Sequence, residues 1–251
     1  MKTNTEYKNA ALAALKGNWA KAVLVSVVYA AILYFAMGPY IINTVKMETY
    51  MMENMGPAYS GSIAESLSTT LALAQDPEYI ALQQKTARWS AVYILLYIFV
   101  ILPLMVGLAN AFLRLLTRGE NDLLGNTYRI ATKNYWHKLW GMFLMYVFII
   151  LWSLLLFIPG IIKMFSYAMT PYILEENPEL SANEAIDRSR AMMKGHKFDL
   201  FWLFLSFIGW FFLSLLTLGI GGLWLGPYMQ TATAAFYEDV KADYEVNGGL
   251  A

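Results

Sequence analysis

Two histidines, His137 and His196, are the side chains best suited to acid–base or metal chemistry, and both fall where a polar connector meets an apolar run. His196 has Asp199 one helical turn away. Two ligands are too few for a zinc site, which takes three or four, so the expectation is an elbow histidine bonding a helix end or a lipid headgroup. Met47, Met51 and Met55 recur once per turn, and thioethers are soft ligands that suit copper(I). No histidine or cysteine accompanies them, and their spacing describes an apolar face resting on lipid or protein. Serines and carboxylates are plentiful in the connectors, yet no nucleophile, base and orienting group can be assembled at short range. Gly219-Ile220-Gly221-Gly222 lies between apolar runs and lacks the Lys-Ser/Thr of a phosphate loop. The expectation is a protein with no enzymatic activity of its own, no metal and no cofactor.

Inside the apolar runs the polar residues are few: Asn110, Ser153, Ser166, Thr170, Ser206, Ser214 and Gln230. Three prolines, Pro103, Pro171 and Pro227, stand in three of the runs. A proline in a helix lacks one donor and frees the carbonyl a turn before it, here near Phe99, Tyr167 and Leu223. If those carbonyls converge, they form a polar surface for a ligand, with Asn110 and Gln230 nearest in sequence. The alternative is that each is satisfied locally and shapes packing alone. Kinked helices and small polar groups also suit a path for a small or lipid-like solute, so a transporter or channel stands as the second functional reading.

These residues are carried by apolar segments. The chain of 251 residues is 58% hydrophobic and only 14% charged, against about 25% charged in an ordinary soluble domain. Lipid is the solvent that tolerates such a composition, and a bilayer core takes roughly 20 apolar residues per helix. The runs predict an all-α, polytopic helical bundle, one integral membrane domain over 1–251, with six spans. They cover residues 20–42, 89–113, 139–158, 161–174, 200–217 and about 218–237. Whether 161–174 and 218–237 cross fully is open, since the first is short and the second polar in its later half. Gly38-Pro39 and Pro159-Gly160 are expected to end or turn the helices that hold them. An outer loop spans about 44–88, with Asp76-Pro77-Glu78 expected to start a helix toward its end, and polar connectors span about 114–138 and 175–199. The tail is expected to lose order after Tyr244. Equal numbers of basic and acidic residues, 18 of each, argue against nucleic acid as a partner and leave membrane lipids.

Three junctions share one pattern. Leu15-Lys16-Gly17-Asn18-Trp19, Thr132-Lys133-Asn134-Tyr135-Trp136 and Lys194-Gly195-His196-Lys197 each join a surface segment to an apolar run. Each run is followed by a second one holding one of the three prolines. This predicts an internal repeat of one unit: an interfacial helix, a lysine-centred elbow and a hairpin. The interfacial helices are read at 5–15, with Tyr7, Ala11, Leu12 and Leu15 on one face laid on the membrane, at 122–133, and after Ser181. There Glu184 completes a capping box, and Gly195 ends the helix. Lys16, Lys133, Lys194, His196 and Lys197 are the candidate headgroup contacts. Fourteen of the 18 Lys and Arg residues fall on one face, with only Lys46, Lys85, Arg88 and Lys163 opposite. The positive-inside rule then places both termini in the cytoplasm.

Several of these stretches resemble a known family. The segment from Pro103 to Gly107 with Arg118-Gly119-Glu120, the Pro171-Tyr172 pair, Met192 to Lys197 with Phe207-Ile208-Gly209-Trp210, and Gly226-Pro227-Tyr228 with Phe236-Tyr237 are similar to the bacterial membrane proteins catalogued as domain of unknown function 975. The resemblance is strongest from Pro103 to Val240 and weakest in the outer loop. It implies a multi-pass protein of a bacterial cytoplasmic (inner) membrane with no assigned activity. A more distant similarity is to the membrane domain of some glycerophosphodiester phosphodiesterases, although no catalytic domain is present here.

Overall fold

A computed structural model describes residues 1–55 and 63–247. Ser60, in the expected outer loop, and the last four residues lie outside the described residues, as does the side chain of Met55. Among the described residues the secondary structure is helical throughout. The chain divides into two compact units, Met1–Tyr29 with Ile98–Ala251, and Ala30–Tyr97.

The described part of the expected outer loop is helical. Helix α2 (Trp19–Met55) runs on past Gly38-Pro39, and α3 (Ile63–Gln75) and α4 (Pro77–Leu96) fill most of the remainder to residue 88. Proline removes one helical bond, the one to the Phe35 carbonyl, yet the helix continues to Met55. One turn on, the Asn43 side chain donates to the Pro39 carbonyl at 2.6 Å and Thr44 to that of Tyr40 at 3.0 Å. Asp76-Pro77 starts α4 as its local chemistry predicts. The Asp76 carboxylate accepts from the Glu78 and Tyr79 amides, and proline takes the first turn, where no donor is needed. Tyr50 hydrogen-bonds Asp76 at 3.0 Å, its ring stacks on Tyr79 at 6.4 Å, and Tyr79 donates to the Met51 sulfur at 3.4 Å. The methionine face is therefore packed on protein at Met51.

The first unit holds α1 (Asn4–Leu15), a π-helical turn (Tyr97–Ile101) leading into α5 (Leu102–Arg118), and α6 (Leu123–Thr132). After these come α7 (Tyr135–Leu155), α8 (Phe157–Ser166), α9 (Thr170–Glu176), α10 (Ala182–Met192), α11 (Lys197–Leu205), α12 (Ile208–Leu216) and α13 (Gly222–Asn247). Its core forms where α5 meets α1, α6, α7, α9 and α13. Tyr7 packs edge-on to Phe236 at 5.5 Å, and Tyr172 stacks on Tyr237 at 4.5 Å. Helices α5 and α6 approach closely at Gly107, where a Cβ would fall 2.2 Å from the Thr127 carbonyl oxygen.

Among the described residues four helical stretches are long and apolar enough to cross a membrane: Trp19–Asn54, Pro77–Arg118, Tyr135–Leu155 and Lys197–Leu216. The expected span at 161–174 is divided by a turn at 167–169 into α8 and α9. The run at 200–217 is broken between Leu205 and Ile208, and α7 ends at an extended Leu156 rather than at Pro159-Gly160. Helix α13 carries Pro227 in its interior and stays helical to Asn247, beyond the Tyr244 expected from sequence. Its later half is buried because it packs on α1 and α5.

The surface helices are α1, α6 and α10. Thr3 with Glu6, and Ser181 with Glu184, form capping boxes, and the Asp122 carboxylate caps α6. Each box holds its glutamate below the ordinary carboxylate range, through hydrogen bonds to the capping residue. The face of α1 expected to lie on lipid instead packs inward. Tyr7, Ala11 and Leu15 are buried, and only Leu12 stays exposed. The reason is that α13 presents Phe236 and Asp239 to Tyr7, which offers both an aromatic edge and a hydroxyl.

Candidate functional site

The three elbows have the same backbone solution. Gly17, Asn134 and Gly195 adopt left-handed conformations, with φ of 80°, 51° and 94°, which reverse the chain after a helix at low cost only for glycine or asparagine. Lys16, Lys133 and Lys194 precede them, and all three side chains are exposed. His196 is half-buried. Its Nδ1 lies 3.3 Å from Asp199 and its Nε2 3.2 Å from Asp243, so it bonds carboxylates of α11 and α13 rather than a helix end. Lys197 is half-buried at the start of α11. No group of three metal-ligating side chains is present among the described residues.

Each surface unit also reaches a broken apolar helix. Lys8 of α1 donates to the Ser206 carbonyl at 2.7 Å, where α11 gives way to α12. Tyr135, just after the second elbow, donates its hydroxyl to Phe99 O in the π-helical turn. Ser189 of α10 donates to Ser166 O at 3.0 Å and accepts from the Met169 amide at 3.2 Å, across the break between α8 and α9. A freed backbone group in an apolar setting must find such a partner or lose several kcal/mol.

Two of the three carbonyls expected to be freed are met separately. Phe99 O is the group freed by Pro103, and it is taken by Tyr135. Tyr167 O, one turn before Pro171, accepts from the Thr170 amide at 3.0 Å. Asn110 and Pro171 are brought together: the buried Asn110 amide donates to Pro171 O and to Val106 O, both at 2.9 Å. The Pro227 carbonyl accepts from Thr231 at 2.8 Å. Gln230 is half-buried on α13, and no hydrogen bond joins it to Asn110 among the described residues. The hydroxyls of Ser153, Ser166 and Ser206 all donate to carbonyls of their own helices.

A charged cluster behind the second elbow was not anticipated. Lys138 is 1% exposed. Its ammonium donates to the Ile130 carbonyl and, at 2.7 Å, to that of Lys133, both in the C-terminal turn of α6. Glu175 of α9 pairs with it at 2.6 Å and with Arg114 of α5 at 2.8 Å. In sequence Lys138 reads only as a positive residue at the mouth of a run, because Glu175 is remote. A second pair ties the N-terminus down. Asp239 accepts from the Tyr7 hydroxyl at 2.6 Å and the Lys2 amide at 2.7 Å. Burial pushes the Tyr7 phenol far up, and the Asp239 hydrogen bond adds to this. Burial alone would raise Asp239, but the Tyr7 and Lys2 donors hold it below the usual range.

Fold and site together define a helical protein with four apolar helices, among the described residues, long enough to span a membrane, and with basic elbows that lead into several of its apolar segments. Residues 153–244, from the end of α7 to the later part of α13, match the family model described as "Protein of unknown function (DUF975)". No curated protein and no solved structure matches the chain significantly.

Proposed function

We propose that the chain is a non-enzymatic, multi-pass protein of a bacterial cytoplasmic membrane, related to this family over most of its length, which engages membrane lipid through three copies of one surface unit. The observation that carries the reading is the threefold recurrence of surface helix, exposed lysine and left-handed residue ahead of an apolar helix. Thr3 and Ser181 each stand the same interval before their left-handed glycine, which supports a common origin of the first and third units. The excess of Lys and Arg on the elbow side supports a cytoplasmic position for both termini. Basic groups held at that surface attract anionic lipid by about 1 kcal/mol each. A transport path has less support, because the serines that would line it donate to carbonyls of their own helices.

The test is binding of phosphatidylglycerol, followed by native mass spectrometry of the detergent-solubilised chain. The quadruple variant K16Q/K133Q/K194Q/K197Q is expected to lose most of the excess of phosphatidylglycerol over phosphatidylcholine. Unchanged binding would reduce the lysines to orientation signals and overturn the reading.

A further inference from the structure

An apolar groove of about 470 Å³ opens where α1, the start of α2, α12 and α13 meet. Leu12, Trp19, Trp210, Leu213, Trp224 and Tyr228 form most of its wall. Its size falls within the range of small-molecule sites. Aromatic side chains with one apolar body and one polar edge are favoured where a ligand is partly apolar and partly wet.

The charge beside this groove says what it holds. Lys8 lies one helical turn before Leu12, so the two share one stripe of α1, and Lys16 follows at the helix's C-cap. The Lys8 ammonium sits 4.6 Å over the Phe207 ring, and Phe207 packs edge-on to Tyr228 of the groove wall at 5.0 Å. No carboxylate lies within ion-pair distance of Lys8 or Lys16 among the described residues. Lys8 is half-buried, with one carbonyl and one ring for company. A partly desolvated cation without an anion is a standing cost, and it is relieved by a ligand that brings the negative charge.

We infer that this groove is a binding site for one anionic phospholipid, with an acyl chain along Trp210, Leu213 and Trp224 and the phosphate at Lys8. The inference rests on the lipid-engaging reading above but names a different site, since Lys8 belongs to none of the three elbows. Lys8 also holds the break at Ser206. Lipid at this place therefore sits on the joint between α11 and α12.

The experiment titrates the solubilised full chain with dioleoyl phosphatidylglycerol and with dioleoyl phosphatidylcholine, and reads bound lipid by native mass spectrometry. One tight phosphatidylglycerol is expected. Lys8→Gln should weaken it about fivefold, the equivalent of one basic contact with anionic lipid. Leu213→Trp, which fills the groove, should remove it, and Lys8→Arg should retain it. Far-UV circular dichroism checks that each variant is folded. If Leu213→Trp does not fold, the Gln and Arg variants at Lys8 decide between them. Loss in K8Q with full binding in L213W would overturn the placement of the chain in the groove. Full binding in K8Q, with loss in the elbow quadruple variant alone, would overturn this site and leave the broader reading standing. No preference for phosphatidylglycerol in the unmodified chain would overturn both.

Discussion

Glu175→Gln is the perturbation with the largest expected effect on stability. Glu175 is the one carboxylate within ion-pair distance of Lys138 among the described residues, and the Lys138 side chain is 1% exposed. Removing one partner of a buried pair costs about 3–5 kcal/mol, because the other charge is left uncompensated. Here the Ile130 and Lys133 carbonyls still receive the ammonium, which places the loss near the low end, about 3 kcal/mol. Lys138→Met is milder. Glu175 keeps Arg114 at 2.8 Å, and the loss is that of donors to two carbonyls, about 1–3 kcal/mol. The double variant leaves no lone buried charge, so it should be no worse than Lys138→Met. The two single losses then exceed the double by about 3 kcal/mol or more, the upper end of the coupling expected of residues in one network. The assay is reversible unfolding in mixed micelles, followed by tryptophan fluorescence and circular dichroism. Strict additivity, or a loss below about 1 kcal/mol for Glu175→Gln, would refute the account of a buried, mutually dependent pair.

Two further outcomes are expected. Tyr135→Phe should cost about 1–3 kcal/mol in the same assay, because Phe99 O then has neither the amide that Pro103 lacks nor the hydroxyl that replaces it; a neutral result would mean that another donor reaches the carbonyl. The Tyr7–Asp239 pair should give a stability plateau with two edges. Asp239 is depressed in the folded state, so its contribution is complete above its ordinary value near 3.9 and is lost as pH falls through the lower native one. Tyr7 is raised, so its contribution is complete below about 10 and is lost as pH climbs toward the higher native value. Thermal unfolding of Asp239→Asn beside the unmodified chain checks both edges, and a variant with the same pH profile as its parent would refute the assignment.

Features set by near neighbours were legible in the sequence. The Ser181–Glu184 box, the Asp76-Pro77 start, Gly195 as a left-handed stop and the bounds of α6 all depend on residues within a turn or two. What escaped reading depends on remote partners. Nothing near Pro39 announces that α2 continues to Met55, although a proline removes only one bond of the ladder. The break at Ser206 has no proline or charge of its own, and it persists because Lys8 supplies a donor from almost 200 residues away. The apolar face of α1 was read correctly as a face, but its partner was not. Periodicity shows that a stripe must be covered, and lipid and α13 satisfy the same pattern. The candidate site divided in the same way. The elbow lysines follow from a local motif, whereas the juxtaposition of Asn110 with Pro171, and of Lys138 with Glu175, exists only after packing.

The placement of Lys138 also sets an order of events during synthesis. When α7 leaves the ribosome, the carbonyls of Ile130 and Lys133 have already been made, and they can receive the ammonium at once. Glu175 lies 37 residues further on, which at roughly 5–20 residues per second is a delay of about 2–7 s. In that interval the second elbow closes on a charge with no counter-ion. Helix α9 then arrives carrying the missing anion, and its docked register brings Glu175 between Lys138 and Arg114. The lysine thus acts as a timer and a socket: it fixes the elbow early and leaves a single vacancy that only the later half of the chain can fill.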